Sequence, residues 1–224
     1  MKKKQGIRLF ISIITFILFI VWTVLVSTVD VEQIGPEETE VGFSAVNASV
    51  HNFTGVNMLL YNITDWLGIV PFCVAIGFAI LGLVQLIKRK SIKRVDSSII
   101  ILGIFYVVVI VFYLFFEIVV INYRPLLIEG KLEESYPSST TMLTSCVMPT
   151  SIMQLHERLK SKRVKAIVTA IISLFTTFMI LTRVFSGVHW ITDIIGGLLI
   201  SISLVAAYSY LTHIKRNIKS RNAQ

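Results

Sequence analysis

Three ionisable residues stand in a stretch otherwise made of apolar and small polar side chains, LTRVFSGVHWITDIIGG from Leu181 to Gly197: Arg183, His189 and Asp193. His189 and Asp193 are four apart, so a helix there sets both on one face, where the carboxylate holds one ring nitrogen and the other points outward. A histidine oriented in this way is suited to act as a base or a nucleophile, and phosphoryl groups are among the electrophiles that histidine attacks covalently. Alone, a His-x-x-x-Asp pair is more often a structural hydrogen bond. Arg183, six residues before His189, changes the balance. A planar guanidinium takes phosphate oxygens in pairs and stabilises the charge of a transferring phosphoryl group.

A second polar island, NYRPLLIEGKLEESYPSSTT from Asn122 to Thr141, supplies groups of the same kind. Arg124 is a second cation and a candidate for anion binding. Pro137 followed by Ser138, Ser139 and Thr140 reads as a helix start, whose free backbone N–H groups and hydroxyls suit a phosphate. Glu117 lies just upstream, near the end of an apolar run, and a carboxylate at membrane depth is costly enough to be a functional suspect. His51, Glu133 and Glu134 are other ionisable candidates outside the apolar runs.

The elements that must position these islands follow from composition. The chain has 224 residues, 54% hydrophobic and only 15% charged, with a mean hydropathy of +0.78, which is outside the soluble range and marks an integral membrane protein. Apolar runs of about 20 residues, the length needed to cross the hydrocarbon core, predict spans at about 9–29, 66–87, 97–121, 138–155, 166–184 and 190–211. The first run is long for a signal peptide and lacks a small-x-small cleavage site, so it reads as an anchor. The segment 30–65 is an outer loop with a weak signal for an interfacial helix in its second half, where Gly55 and scattered Asn residues intervene. Asn47, Asn52 and Asn62 head N-x-S/T triplets, relevant only in a glycosylating host. The expected fold is an all-α, six-helix membrane bundle forming a single domain over 1–224, with outer loops 30–65 and 122–137 and no separate soluble domain.

The net charge of +8 would suggest nucleic acid in a soluble protein, but its distribution gives topology instead. Of 21 Lys and Arg residues, 18 fall at the N-terminus, in 88–94, in 158–165 and in the tail from Lys215, which places both termini and the even-numbered connections in the cytoplasm. Only Arg124, Lys131 and Arg183 remain on the outer side, and all three belong to the polar islands. Cations kept on a face that excludes them are candidates for anion binding; the bland alternative is structural pairing of Arg124 and Arg183 with Glu117 and Asp193. Cys73 and Cys146 lie in apolar runs and offer neither a disulfide framework nor metal-ligand spacing.

These residues resemble the type-2 phosphatidic acid phosphatase superfamily. Its third motif reads Ser-Arg, five residues, His, three residues, Asp, and Thr182-Arg183, His189 and Asp193 fit that spacing. Its second motif, Pro-Ser-Gly-His, resembles Pro137-Ser138-Ser139-Thr140. Its first, Lys with Arg-Pro seven residues on, resembles Glu117 with Arg124-Pro125. The resemblance implies a membrane lipid phosphatase of the plasma membrane, with its site on the extracytoplasmic face and no metal or other cofactor. His189 would be the nucleophile and Asp193 its orienter, with Arg124, Arg183, Ser138, Ser139 and Thr140 about the phosphate. The family's general-acid histidine falls on Thr140 and its lysine on Glu117, so Glu117 is a candidate proton donor or modulator. A weak acid matters least when the leaving group is itself a phosphate, which favours a polyprenyl diphosphate over phosphatidic acid. The alternative is a catalytically silent relative that binds or helps move a lipid phosphate.

Overall fold

In a computed structural model the backbone is described for residues 2–221 and the side chains for 5–215. The side chains of Lys2, Lys3, Lys4, Arg216, Lys219 and Arg221, used in the charge reading, lie outside these. The described chain is mostly helical: α1 (Lys2–Thr28), α2 (Ser44–Thr54), α3 (Met58–Leu67), α4 (Ile69–Arg89), α5 (Ser97–Ile118), α6 (Ser139–Arg158), α7 (Lys162–Phe185) and α8 (Ile191–Arg221). A minimal antiparallel hairpin, β1 (Glu32–Gln33) with β2 (Glu40–Val41), sits in the first long connection.

Among the described residues five stretches are long and apolar enough to cross a membrane: 5–28, 58–89, 97–118, 162–185 and 191–215. This is a polytopic all-α membrane protein. The expected span at 138–155 is not among the five, although α6, at 20 residues, is about 30 Å long. The reason lies in its surroundings. Helix α6 packs against α4, α5, α7 and α8, and Thr141, Thr144, Ser145, Thr150, Ser151 and Gln154 are all buried. A helix enclosed by other helices does not face lipid, so it can carry polar side chains, and where helices do face lipid such groups hold them together through hydrogen bonds. Here Gln154 Nε2 donates to the Ser98 carbonyl of α5 at 3.2 Å and to the Tyr208 hydroxyl of α8, while Ser201 of α8 donates to the Met142 carbonyl at 3.2 Å.

Local chemistry sets the helix boundaries. Asn57 caps α3 by accepting from Leu60 N at 3.1 Å, and Ser161 caps α7 by accepting from Val164 N at 3.4 Å, each satisfying a donor left free at a helix start. Lys88 and Arg89 close α4 where cations complement the helix dipole. Arg89 then pairs with Asp96 at 2.7 Å across the tight turn into α5. That hydrogen bond, the largest influence on Asp96, holds its carboxyl below the usual range.

Helix α1 runs antiparallel along α8: Ser203 donates to the Ser12 carbonyl at 2.8 Å, and Trp22 Nε1 to the Thr192 carbonyl at 3.0 Å. The segment 30–65, expected to be an outer loop with a weak signal for one helix in its second half, carries α2 there and most of α3. Phe43 stacks on Trp22 with ring centres 5.2 Å apart. The buried Asn47 donates to Thr192 Oγ1 at 3.0 Å, and Asn57 N donates to the Ser186 carbonyl at 3.0 Å. Gly187 makes this last approach possible. Its φ is +66°, and a Cβ there would sit 1.9 Å from the Gly55 carbonyl oxygen.

Candidate active site at the outer ends of the helices

The segment 122–138 folds back on itself. Tyr123 bridges Glu134, Arg124 N donates to the Glu133 carbonyl at 3.0 Å, and Ser135 N donates to the Asn122 carbonyl at 2.9 Å. This places Arg124, Ser135 and the start of α6 side by side. Tyr136 anchors the fold-back: it is 1% exposed, stacks on Phe19, meets Phe116 edge-on and shares a 2.7 Å hydrogen bond with Thr23. Its ring rests on Gly196, where a Cβ would lie 2.5 Å from Tyr136 Cε2. Ser138 N donates to the Asp193 carbonyl at 3.0 Å, which ties the start of α6 to the first turn of α8.

The two islands therefore meet. A cavity of about 430 Å³ is lined by Tyr61, Asp65, Tyr113, Glu117, Arg124, Glu133, Glu134, Ser135, Ser139, Thr140 and His189, among others. Arg183 borders it through Thr140, donating from Nη2 to Thr140 Oγ1 at 2.8 Å, and it also meets Asp65 at 3.4 Å. Tyr61 lies between the two arginines, its ring centre 5.8 Å from the Arg124 guanidinium carbon and 5.1 Å from that of Arg183, a spacing that favours cation–π attraction.

Among the described residues five buried side-chain nitrogens have no hydrogen-bond partner; besides His51 Nδ1, four belong to this site: Arg124 Nη1, Arg183 Nε, Arg183 Nη1 and His189 Nε2. Buried charged donors are costly unless partnered, and the three arginine nitrogens are left free to take an anion's oxygens. The fourth is the ring nitrogen of a candidate nucleophile. Burial, followed by repulsion from Arg124 and Arg183, lowers the His189 pKa well below the usual imidazole range, against a hydrogen bond from the ring to the Ser135 backbone that works the other way. The ring is accordingly neutral at physiological pH, as a nucleophile must be.

One expectation needs correction, and the bland alternative for the arginines is not met. His189 does not share a helical face with Asp193, because α8 begins only at Ile191. The nearest approach of the pair, Nδ1 to Oδ2, is 3.9 Å, beyond hydrogen-bond distance. Ser135 stands between them, 3.0 Å from His189 Nδ1 and donating to Asp193 Oδ2. The pairing of Arg124 with Glu117 and of Arg183 with Asp193 is not formed either. Arg124 pairs with Glu133 at 3.2 Å and Arg183 with Asp65.

Of the other expected site residues, Ser139, Thr140 and Glu117 line the cavity. Ser138 is fully buried beneath it, its amide given to Asp193 and its hydroxyl accepting from Thr141 at 3.0 Å. His51 packs against Trp190, ring centres 5.5 Å apart, and burial lowers its pKa. Tyr61, Asp65, Asn122 and Ser135 carried no motif in the sequence. Among the described residues no three His, Cys, Asp or Glu side chains are grouped to hold a metal ion.

The sequence model of the PAP2 superfamily matches residues 119–217, the segment that contains both islands. Over that stretch the chain is similar to the PAP2 superfamily. No curated protein sequence matches it. Among solved structures it is similar to the first transmembrane PAP2-type phosphatidylglycerolphosphate phosphatase from Bacillus subtilis, at 18% identity and a TM-score of 0.61, over 91% of this chain and 96% of that one. At that identity the likeness shows a shared fold.

Proposed function

We propose that this PAP2-like protein is an integral-membrane lipid phosphatase that hydrolyses a lipid phosphate or diphosphate through a phosphohistidine at His189. The observation that carries the reading is the convergence of partnerless Arg124 and Arg183 nitrogens with the partnerless His189 Nε2. His189 Nε2 attacks phosphorus while the guanidiniums take the charge on the non-bridging oxygens. The bond to the leaving oxygen breaks, and water then attacks the phosphohistidine to release phosphate.

Thr140, not a histidine, stands at the rim beside Arg183, and a threonine hydroxyl is too weak an acid to protonate an alkoxide. A leaving phosphate, with a second pKa of about 6, needs no such help. This supports a diphosphate substrate such as a polyprenyl diphosphate over phosphatidic acid. The basic connections 88–94 and 158–165 lie at the opposite ends of the helices from the cavity. That supports six spans with α6 as the enclosed one, cytoplasmic termini, and a site on the extracytoplasmic face of the plasma membrane.

The test is phosphate release by detergent-purified protein in EDTA, from a polyprenyl diphosphate, phosphatidic acid and phosphatidylglycerol phosphate. Release that is fastest from the diphosphate and lost in His189→Asn is expected. Faster release from a monoester overturns the preference. No release, with the lipid phosphate still bound, identifies a silent binder.

A further inference from the structure

The structure assigns Ser135 to this reaction as a positioning residue, whose hydroxyl joins His189 to Asp193 and fixes which ring nitrogen faces the phosphate. The inference rests on the phosphohistidine reading above. It starts from the gap in the site: the 3.9 Å between His189 Nδ1 and Asp193 Oδ2 leaves the carboxylate unable to hold the ring directly. The Ser135 hydroxyl fills that gap, and it has one proton. That proton goes to Asp193 Oδ2, so toward His189 the oxygen can only accept, and Nδ1 must carry a hydrogen. Nε2 is then the bare nitrogen, and Nε2 is the ring atom without a partner at the cavity.

The rest of the network points the same way. Asp193 is fully buried and accepts from Asn122 Nδ2 at 2.8 Å and from Trp190 N at 2.9 Å, as well as from Ser135. With its other contacts supplied by groups that only donate, the carboxylate takes the serine proton and does not return one. Ser135 is 3% exposed, and its own amide is fixed by the Asn122 carbonyl at 2.9 Å. One fold-back thus delivers both Asn122 and Ser135 to Asp193. Carboxylate orientation of a histidine is common. Here it is transmitted through a serine from a different element, 54 residues away in sequence.

Removing the hydroxyl loosens the hold on the ring and on its tautomer. The Ser135 backbone contact with the ring survives, so the loss is partial, about 10- to 100-fold in kcat, the equivalent of one hydrogen bond to a charged network. KM should move less than about threefold, because the arginine cradle is untouched. The experiment compares Ser135→Ala, Ser135→Thr and Ser135→Val, alone and in an Asp193→Asn background, with His189→Asn as reference. Thr and Val have nearly the same shape and differ by the hydroxyl, so Ser135→Thr should retain several-fold more kcat than Ser135→Val, at matched thermal midpoints. In the Asp193→Asn background the Ser135→Ala loss should shrink to about threefold or less, since the serine no longer leads to a carboxylate.

Equal kcat for the Thr and Val variants, or losses that multiply fully in the double variant, overturn the assignment. Should Ser135→Ala not fold, the Thr and Val pair still decides. Undiminished activity in His189→Asn would instead overturn the phosphohistidine reading itself, and the two failures are therefore distinct.

Discussion

Arg183→Lys tests the anion cradle most directly, because it keeps the charge and removes the geometry. Arg183 is 1% exposed, its Nη2 occupied by Thr140 and Asp65 and its Nε and Nη1 without partners. If those two nitrogens bind phosphate oxygens, the wild-type enzyme makes two charge-assisted hydrogen bonds there, each worth about 1.5–3 kcal/mol. A lysine ammonium is a point donor that recovers one of them. The loss is then about 1.5–3 kcal/mol, with roughly another 0.5–1 kcal/mol from contact with the Tyr61 face. At about 1.36 kcal/mol per factor of ten, kcat/KM should fall roughly 10- to 1,000-fold. Initial rates of phosphate release across a substrate series give kcat/KM, and thermal unfolding in the same detergent separates loss of function from loss of fold. A folded Arg183→Lys protein within threefold of wild type would refute the reasoning, since the two free nitrogens would then have no ligand to bind.

Arg124→Gln should move the acid limb of the kcat/KM profile. Neutral His189 is the reactive form, so activity is present above its pKa and lost as pH falls through it. Arg124 is among the causes that lower that pKa, after burial, so removing its charge raises the pKa and shifts the acid limb toward neutral pH, read from rates between about pH 4 and 7. Thr140→His restores an acid beside Arg183 and should raise the rate on phosphatidic acid relative to the polyprenyl diphosphate by about tenfold or more. An unchanged ratio would show that leaving-group protonation does not set the preference.

Much of this protein was determined by sequence alone. Apolar runs separated by basic connections specify a helical membrane protein, because lipid cannot hydrogen-bond a backbone and cytoplasmic loops retain Lys and Arg. Arg183, His189 and Asp193 were legible because residue type and spacing carry their chemistry, and Arg124 because it is a cation on a face that excludes cations.

Tertiary structure decided the rest. Tyr61 and Asp65 reach Arg183 from α3, 118 residues away in the case of Asp65, and no local pattern records such a contact. Ser135 could not be found from its neighbours, because its role depends on a 3.9 Å gap set by where α8 begins. Ser138 has the residue type for phosphate binding, but its amide is taken by the Asp193 carbonyl. Helix α6 shows the physical reason most plainly. Hydropathy measures what a segment would meet in lipid, whereas α6 meets other helices, and only the packed bundle shows which environment a segment faces.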